Sequence, residues 1–347
     1  MKKVKSIISE NHAWTCYISP FKLIVPDNEE PLKVDLEEIN SNTYNHGKLC
    51  RIVGMLPVLK GTNLKMVVCY DGALAIPRSG IYQKREAALN FFNMIMCQLL
   101  LGGVVCEALD TRDIVWGQVH EKRALWPVDL GQSASSHLHS KLRMRVASSI
   151  DSIVLSDPDF ISYSQFQKAL NCGQVILERI RNLTPSFLIR GVTEIRYKNW
   201  SLALSNLWIT IEQLTDYLWN NRFLVDHEYN PAEQIAGRAK ALREDNRTWS
   251  SSVKQEILFQ VKLIGSDVFQ MLYPARQARN RLVHDGKDVD EQTAISAYNA
   301  VILMLGICIG DTDIPIGRIQ LFRHTPEGEK IKVDTCYKDW EELSEEF

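Results

Sequence analysis

The pattern of apolar residues changes near the middle of the sequence, from mostly strand-like runs to helical spacing. This change predicts two different architectures, one after the other along the chain. Up to about residue 155, short runs rich in β-branched and aromatic residues alternate with turn residues, a pattern typical of β-strands. The segment 83–101 instead has apolar residues at spacings of three and four without proline or glycine, which predicts a helix. We therefore expect an α+β domain over residues 1–155. The strand-like runs are 13–26, 48–59, 64–70, 104–109 and 113–119.

From about residue 163 onwards, helical spacing predicts an all-α bundle, which we assign to residues 160–312. After it, residues 313–347 are expected to form a short C-terminal β-hairpin and an acidic tail. The hairpin is predicted over 316–337, with its turn at Pro326 and Gly328. The predicted helices are 163–182, 197–220, 231–243, 251–285 (bent or broken around Pro274) and 288–309.

Small and basic residues cluster in the segment 131–145, which has the composition of a linker. His137 and His139 stand two apart there, and we expect a solvated turn rather than a metal site. The basic side chains are expected at a solvated helix start, with contact to a phosphate backbone as the alternative. They are Lys141, Arg143 and Arg145.

The composition excludes a disordered chain and a protein that coats nucleic acid indiscriminately. The 347 residues are 45% hydrophobic and 24% charged, which is ordinary for a globular protein. The 40 Lys and Arg residues face 42 Asp and Glu residues, so the formal net charge is −2. Because non-specific nucleic-acid binding relies on a basic excess, any such contact here is expected to be local.

The sequence predicts a cytoplasmic protein without a membrane partner. The first twelve residues lack the apolar region and cleavage site of a secretory signal. The apolar stretch 91–106 is interrupted by Asn93, Gln98 and a glycine pair, so it is predicted to be a buried helix that runs into a strand. Eight cysteines form no C-x-x-C pair, which fits reduced core thiols. Phosphate-loop, dinucleotide, zinc-protease and hydrolase motifs are absent, so no cofactor or metal is expected.

The segment YPARQARNRLVHDGKD, residues 273–288, has the most distinctive chemistry. On a helix of about 100° per residue, Arg279 projects into the middle of an inward apolar face, where a charge needs an anionic partner. Asn280 and His284 lie four residues apart on one flank, and Gly286 is expected to end the helix. The apolar residues of the inward face are Leu272, Ala275, Leu282 and Val283.

These side chains are the parts that metal-free RNA cleavage requires. A guanidinium binds a phosphodiester through two hydrogen bonds and stabilises the charge of a pentavalent transition state. An imidazole can remove the proton of a ribose 2′-hydroxyl or protonate a leaving oxygen. The alternative from spacing alone is that Arg279 extends to solvent and His284 caps the helix.

The sequence Arg279-Asn280-Arg281-Leu282-Val283-His284 resembles the R-x(4–6)-H signature of HEPN domains. The upstream helix 203–219 is similar to the second core helix of the Apea-like branch, which carries a glutamate near the active centre. Glu212 occupies the matching position. The resemblance covers about 163–310. It implies a helical bundle that dimerises and joins two motifs in one cleft. Many members of this family are metal-independent endoribonucleases of toxin–antitoxin or anti-phage systems, often cleaving tRNA to cyclic-phosphate ends.

The resemblance also implies a role for each residue. Arg279 would bind and polarise the scissile phosphate, His284 would act as acid or base, and Asn280 would orient one of them. Glu212 would position Arg279 or His284, or else form a buried helix-to-helix salt bridge. The residues expected to attract an RNA backbone are Arg276, Arg281 and Lys287.

Two alternatives remain open. In the first, the helical part serves only for dimerisation while the N-terminal part, a sensor or recognition module, binds a partner such as an activator or antitoxin. In the second, a nucleotide binds in the same cleft. Trp208 fits the apolar stripe of its helix with Leu204 and Ile211, so core packing is expected rather than stacking on a base.

Overall fold

A six-stranded antiparallel sheet forms the first half of the chain. The computed structural model describes residues 12–57, 64–121, 123–226 and 237–321. The strands are β1 (His12–Tyr17), β3 (Ile52–Pro57), β4 (Lys65–Cys69), β5 (Ala73–Pro77), β6 (Val115–His120) and β7 (Ala124–Pro127). They follow the order β3-β4-β5-β1-β6-β7, so β1 lies inside the sheet. Thr15 of β1 pairs with Ala75 on one side and Val115 on the other.

The sheet is curled, and its two outer strands meet at one end. The backbone N–H of Ile52 in β3 donates a hydrogen bond of 2.8 Å to the carbonyl of Arg123, just before β7. Beside this bond, Arg51 and Ala124 form an isolated antiparallel bridge. These contacts pair backbone groups that an open sheet edge would leave exposed.

One helix, α3 (Arg85–Leu101), covers the outer face of the sheet and is buried along most of its length. It also contacts α6 (Tyr163–Arg179), the first long helix of the second half. A Cβ atom added at Gly173 would lie 2.1 Å from the backbone oxygen of Gln98. One added at Gly102 would lie 2.2 Å from the backbone oxygen of Ala169. The two helices therefore pack backbone against backbone, which only glycine permits at these positions.

The second half is helical. Trp200–Leu218 (α8) packs against the helix Pro185–Arg196 (α7) and against the helix Glu291–Ile309 (α12). The helix α12 packs in turn against Ser266–Asp285 (α11). A π-helical turn, Trp219–Phe223, extends α8. The other longer helices among the described residues of this half are α7 (Pro185–Arg196), α9 (Arg238–Glu244), α10 (Ser251–Gln260), α11 (Ser266–Asp285) and α12 (Glu291–Ile309), and a three-residue helix, Leu224–Asp226, follows the π-helical turn.

The two halves share one hydrophobic core. A single cluster of buried residues extends from Trp14 in β1 to Ile316 beyond α12. A short parallel ladder also joins β2 (Leu23–Val25) to β8 (Phe160–Ser162) across the junction. The predicted division near residue 155 therefore separates two kinds of secondary structure that are packed together. The remaining short helices are α1 (Leu36–Ser41), α2 (His46–Cys50), α4 (Ala134–Met144) and α5 (Ser149–Ser152).

The predicted order of an α+β half followed by a helical half is confirmed. Trp208 is 3% exposed, which confirms its prediction as a core residue. Of the predicted bend or break around Pro274, the break is wrong: α11 continues through that residue, and the interruption lies between α10 and α11 at 261–265. Most of the predicted hairpin 316–337 lies outside the described residues, and its start, Pro315–Arg318, is a 3₁₀ turn.

Two further predictions about secondary structure are corrected. Residues 104–109 form no strand, although most of them are buried, because their backbone pairs with no neighbouring strand. The predicted strand at 48–59 begins as the end of the short helix α2, is extended from Arg51 and forms β3 from Ile52 to Pro57, and its last two positions lie outside the described residues. The sequence prediction omitted α7, β5 and β7.

By length and composition, α12 is the one described helix that could cross a membrane. Its most apolar window has a mean hydropathy of 1.6, and half of that window is buried inside the fold. Met304 and Leu305 are fully buried in the shared core, so α12 packs as a core helix of this fold. The sequence analysis considered 91–106 as the stretch nearest to a membrane span, whereas the described helix that meets the criteria of length and composition is α12.

The prediction of a linker at 131–145 is wrong, because this segment contains the buried helix α4. Ser133 caps the helix by accepting a hydrogen bond from the backbone N–H of Ser136. Arg143 is fully buried and donates from Nε to Asp71 Oδ2 over 2.7 Å and from Nη2 to Asp71 Oδ1 over 2.5 Å. Its Nη1 donates to the carbonyl of Leu125 over 2.7 Å. Arg143 therefore attaches α4 to the sheet.

His139 belongs to the same buried cluster and not to a solvated turn. Its Nδ1 lies 3.1 Å from Asp71 Oδ2, and its ring stacks on Tyr17 with centroids 4.2 Å apart. Burial lowers the pKa of His139, although Asp71 acts in the opposite direction. Burial alone would raise the pKa of Asp71, but the charge of Arg143 and the hydrogen bonds from His139 and Arg143 lower it well below its usual range.

We predict that Gly173→Ala destabilises the protein by about 2 kcal/mol or more, because the added methyl group forces α3 and α6 apart. Gly47→Ala is the matched control, since a Cβ atom at Gly47 has its nearest neighbour, Asn45 Oδ1, at an ordinary 3.5 Å. Urea unfolding of both variants measures the difference. Equal stability of the two variants would contradict the close backbone packing.

We predict that Asp71→Asn costs about 3–5 kcal/mol at pH 7, because it leaves the buried charge of Arg143 without its counter-ion. The lowered pKa of Asp71 adds a pH dependence. The contribution of Asp71 to the unfolding free energy is complete above the ordinary carboxyl pKa of about 3.9. It is lost as the pH falls through the lower pKa that Asp71 has in the folded state. Asp157→Asn, which alters an exposed pair with Lys33, is the control. Unfolding curves from pH 7 to pH 3 that are the same for Asp71→Asn and wild type would contradict this account.

Candidate functional site

The site predicted from the sequence lies on the last three turns of α11. The helix ends at Gly286, as predicted, with a left-handed φ of 65°. The N–H groups of Gly286 and Lys287 donate to the carbonyls of Leu282 and Arg281 over 3.2 and 3.3 Å. Pro274 lies in the interior of α11 and supplies no N–H, yet the helix continues past it.

The inward face of α11 ends earlier than the sequence predicted. Leu272, Ala275 and Ala278 are buried, but Val283 is 58% exposed, so its predicted place on the inward face is wrong. The fully buried stripe ends at Ala278, and Leu282, one turn later, is partly buried against the core as predicted. Arg279 is half-buried at this border. Its charge therefore keeps contact with solvent and needs no buried counter-ion.

Three predicted residues come together on this last part of α11. Arg279 Nη1 donates a hydrogen bond of 3.3 Å to Asn280 Oδ1. Asn280 and His284 are exposed and stand one helical turn apart. The guanidinium of Arg276 lies 5.3 Å from the centre of the Tyr273 ring. The half-buried guanidinium and the exposed amide and imidazole therefore lie on the last two turns of one helix, and we call this end of the helix the α11 surface.

Positive charge on the α11 surface is not neutralised within the described part of the chain. No described carboxylate forms an ion pair with the cations of this surface, whereas Arg143 and Arg196 are paired with Asp71 and Glu107. The segment 273–288 holds four such cations and two carboxylates. An unpaired cationic surface on a chain of net charge −2 attracts anions locally. The four cations are Arg276, Arg279, Arg281 and Lys287.

Glu212 is not connected to the α11 surface in the described structure. Its Oε1 accepts a hydrogen bond of 2.8 Å from Nε1 of Trp208, one turn earlier on the same helix. Among the described residues, neither a hydrogen bond nor an ion pair joins Glu212 to Arg279 or His284. The alternative of a helix-to-helix salt bridge is not observed there either. Glu212 therefore satisfies the indole N–H of a buried tryptophan.

Ser201, at the start of α8, holds the loop that follows α11. Its hydroxyl donates to Asp288 Oδ1 over 3.2 Å and accepts from the backbone N–H of Val289 over 3.1 Å. Lys287 is thereby held next to the end of α11. Sequence analysis did not identify Ser201, because a serine in the first turn of a helix has no distinctive signal.

A second polar cluster joins the two halves near the start of α8. The carboxylate of Glu107, 7% exposed, accepts hydrogen bonds from Ser19 Oγ at 2.7 Å, Arg196 Nη1 at 2.9 Å and Tyr197 OH at 2.7 Å. Burial and the neighbouring charge of Glu107 raise the pKa of Tyr197 to about 12. These partners lie up to 90 positions apart in the sequence, so no local pattern predicted the cluster.

Within the described ranges, no three His, Cys, Asp or Glu side chains are grouped as a metal site requires. The buried thiols do not supply a nucleophile: burial raises the pKa of Cys69 to about 12 and that of Cys50 to about 11. The α11 surface remains the strongest candidate site.

Comparison of the chain with protein-family models, with curated proteins and with solved structures finds no match in any of the three. The resemblance to HEPN domains therefore rests on the motif 279–284 and on the helices around it.

We predict different consequences for two substitutions of Glu212. Glu212→Gln keeps an oxygen that can accept from Trp208, so the unfolding free energy should change by less than about 1 kcal/mol. Glu212→Leu leaves the indole N–H without an acceptor and should cost about 1–3 kcal/mol. Urea denaturation of both variants measures the effect. Equal destabilisation by the two substitutions would show that the negative charge of Glu212 matters, as an ion pair would require.

Proposed function

We propose that the protein is a metal-independent endoribonuclease of the HEPN class that cleaves RNA, with tRNA as one candidate substrate, in anti-phage defence or as a toxin. The observation that carries the proposal is the α11 surface. There, Arg279, Asn280 and His284 are accessible together, and the surrounding cations have no described carboxylate partner. An RNA phosphate would supply the missing negative charge.

The proposed reaction uses the 2′-hydroxyl of the substrate as nucleophile. One imidazole removes the proton of that hydroxyl, and the 2′-oxygen forms a bond to phosphorus. Arg279 stabilises the added charge of the pentavalent transition state. The bond from phosphorus to the 5′-oxygen then breaks, and a proton passes to that oxygen. The products are a 2′,3′-cyclic phosphate and a 5′-hydroxyl end.

This reaction needs both a base and an acid, and the motif of one chain supplies a single imidazole, His284. We propose that a second copy of the chain supplies the other, so that the active form is a homodimer. The exposed apolar side chains of α11 support this arrangement, because Tyr273 is 50% exposed and Val283 58% exposed beside the motif. A partner protein acting as activator or antitoxin would then control access to the α11 surface.

One observation favours a second candidate, a catalytically inactive dimerisation protein that binds a partner or a nucleotide. Glu212, the proposed positioning residue, is hydrogen-bonded to Trp208 and not to the motif. Without a contact to Glu212, Arg279 and His284 would still bind a phosphate, but they would lack the carboxylate that was expected to hold one of them in position for catalysis.

We predict that the protein cleaves total cellular RNA or tRNA in EDTA, and that His284→Ala lowers the rate by about 10²-fold or more, as expected for loss of acid–base catalysis. Arg279→Ala should have a comparable effect. His120→Ala, which removes an exposed histidine from the N-terminal half, is the matched control and should cleave at the wild-type rate. Gel analysis of the products measures the rates.

The controls separate the alternatives. Equal cleavage by wild type and His284→Ala would contradict the proposal and identify a contaminating nuclease. Cleavage by neither protein, with RNA binding retained by wild type, would favour the non-catalytic candidate.

A further inference from the structure

A groove of about 670 Å³ lies between α6 and the end of α12. Its lining residues on α6, from Ser164 to Ile176, recur at spacings of three and four, so they form one face of that helix. The opposite wall comes from Ile309, the last residue of α12, and from the turn that follows it. Among the described lining residues there is none from α11, so the groove is separate from the α11 surface.

The middle of the groove is apolar and open to solvent. Val175 lines it from α6 and is 64% exposed. On the other wall, Ile309, Ile314 and Pro315 contribute further apolar surface. An exposed apolar side chain between two apolar walls is typical of a surface that binds another segment.

Two arginine side chains converge at one end of this groove. Gly310 stands between Ile309 and Asp311, which both line the groove. A Cβ atom added at Gly310 would lie 3.9 Å from Arg179 Nη2 and 4.0 Å from Arg222 Nη2, so these two atoms are less than about 8 Å apart. Within the described part of the chain, no carboxylate forms an ion pair with either guanidinium. The negative end of the α12 dipole offsets only part of this charge.

The groove therefore combines an apolar middle with positive charge. Lys168, on the same face of α6, adds a third cation among the lining residues. The carboxylate among the described lining residues is Asp311, and its own turn uses it, because Oδ1 accepts a hydrogen bond of 2.9 Å from the backbone N–H of Asp313. A segment with apolar side chains among several free carboxylates would be complementary to this groove.

The sequence contains such a segment at 339–347, DWEELSEEF. Five of its nine residues are carboxylates, and it contains no lysine or arginine. Its apolar residues Trp340, Leu343 and Phe347 stand three and four positions apart, which is the spacing of side chains that anchor a segment in a groove. Its charge and its apolar spacing therefore both match the groove.

The described part of the chain ends near the groove. Pro315 lines the groove, and Leu321, six positions later, is the last described residue. Six residues span at most about 20 Å, and the 18 positions from Leu321 to Asp339 can span up to about 60 Å. The segment 339–347 can therefore reach the groove of its own chain.

We propose that the segment 339–347 docks in this groove of the same chain, with its apolar residues on Val175 and its carboxylates on Arg179 and Arg222. The groove lies at the end of α12, whereas the α11 surface lies near the start of that 19-residue helix, roughly 28 Å away along its axis. The docked carboxylates therefore stay clear of the α11 cations. This inference goes beyond the proposed ribonuclease activity and does not depend on it.

The test is calorimetric titration of a synthetic peptide of residues 338–347 into full-length protein. In a triple variant, Trp340→Ser, Leu343→Ser and Phe347→Ser free the groove, so this protein should bind the peptide at one site per chain. Wild type should bind it at least ten-fold more weakly, because its own segment competes at an effective concentration of about 1 mM. No binding to the triple variant, or equal binding to both proteins, would overturn the proposal.

Further substitutions in the triple variant locate the site. Val175→Asp and Arg179→Glu should each weaken peptide binding at least ten-fold. Ile81→Asp and Arg190→Glu are the matched controls and should leave it unchanged, since Ile81 is 65% exposed, Arg190 is exposed, and both lie outside the groove. Loss of binding with Arg279→Glu but not with Arg179→Glu would place the segment on the α11 surface and overturn the assignment.

Discussion

The contact between the backbones of α3 and α6 is the interaction on which the rest of the structure depends. Gly102 and Gly173 allow the two helices to touch without intervening side chains. Because α3 also covers the sheet, this crossing joins the α+β half to the helical half in one core. Through α7 and α8 it also supports the helices that carry the α11 surface.

Within the N-terminal half, a buried ion pair joins α4 to the sheet. Asp71 follows β4, and Arg143 lies 72 positions later in α4, yet the two form a bidentate pair in a fully buried position. Burial of charge is tolerated because each oxygen of Asp71 and most donors of Arg143 are satisfied. This buried cluster contains Arg143 and His139, both of which the sequence analysis had placed at the surface.

Sequence patterns predicted helices and strands in which buried residues recur at a regular spacing. They failed where contacts with residues far away in the sequence determine the local structure. The helical spacing of 163–182 is strong because one face of α6 packs inward. The helix within 83–101 is buried on more than one side, and it was predicted from a long apolar run without proline or glycine. Segment 131–145 was misassigned because its small polar residues indicate a loop unless the partner Asp71 is known. The end of α11 at Gly286 was predicted from its glycine, and the structure places Arg279, Asn280 and His284 on the last turns of that helix. The exposure of Val283 was not predicted, since its angular position on the helix matches that of the buried Leu272.

One measurement directly tests the proposal that RNA is cleaved at the α11 surface by the 2′-hydroxyl of the RNA itself. An RNA that the protein cuts at a single position is prepared with a 2′-deoxy nucleotide on the 5′ side of that bond. The account predicts that cleavage at this bond is lost while the unmodified RNA yields a 2′,3′-cyclic phosphate end. Cleavage of the modified bond at an unchanged rate would contradict it, because the nucleophile would then not be the 2′-hydroxyl.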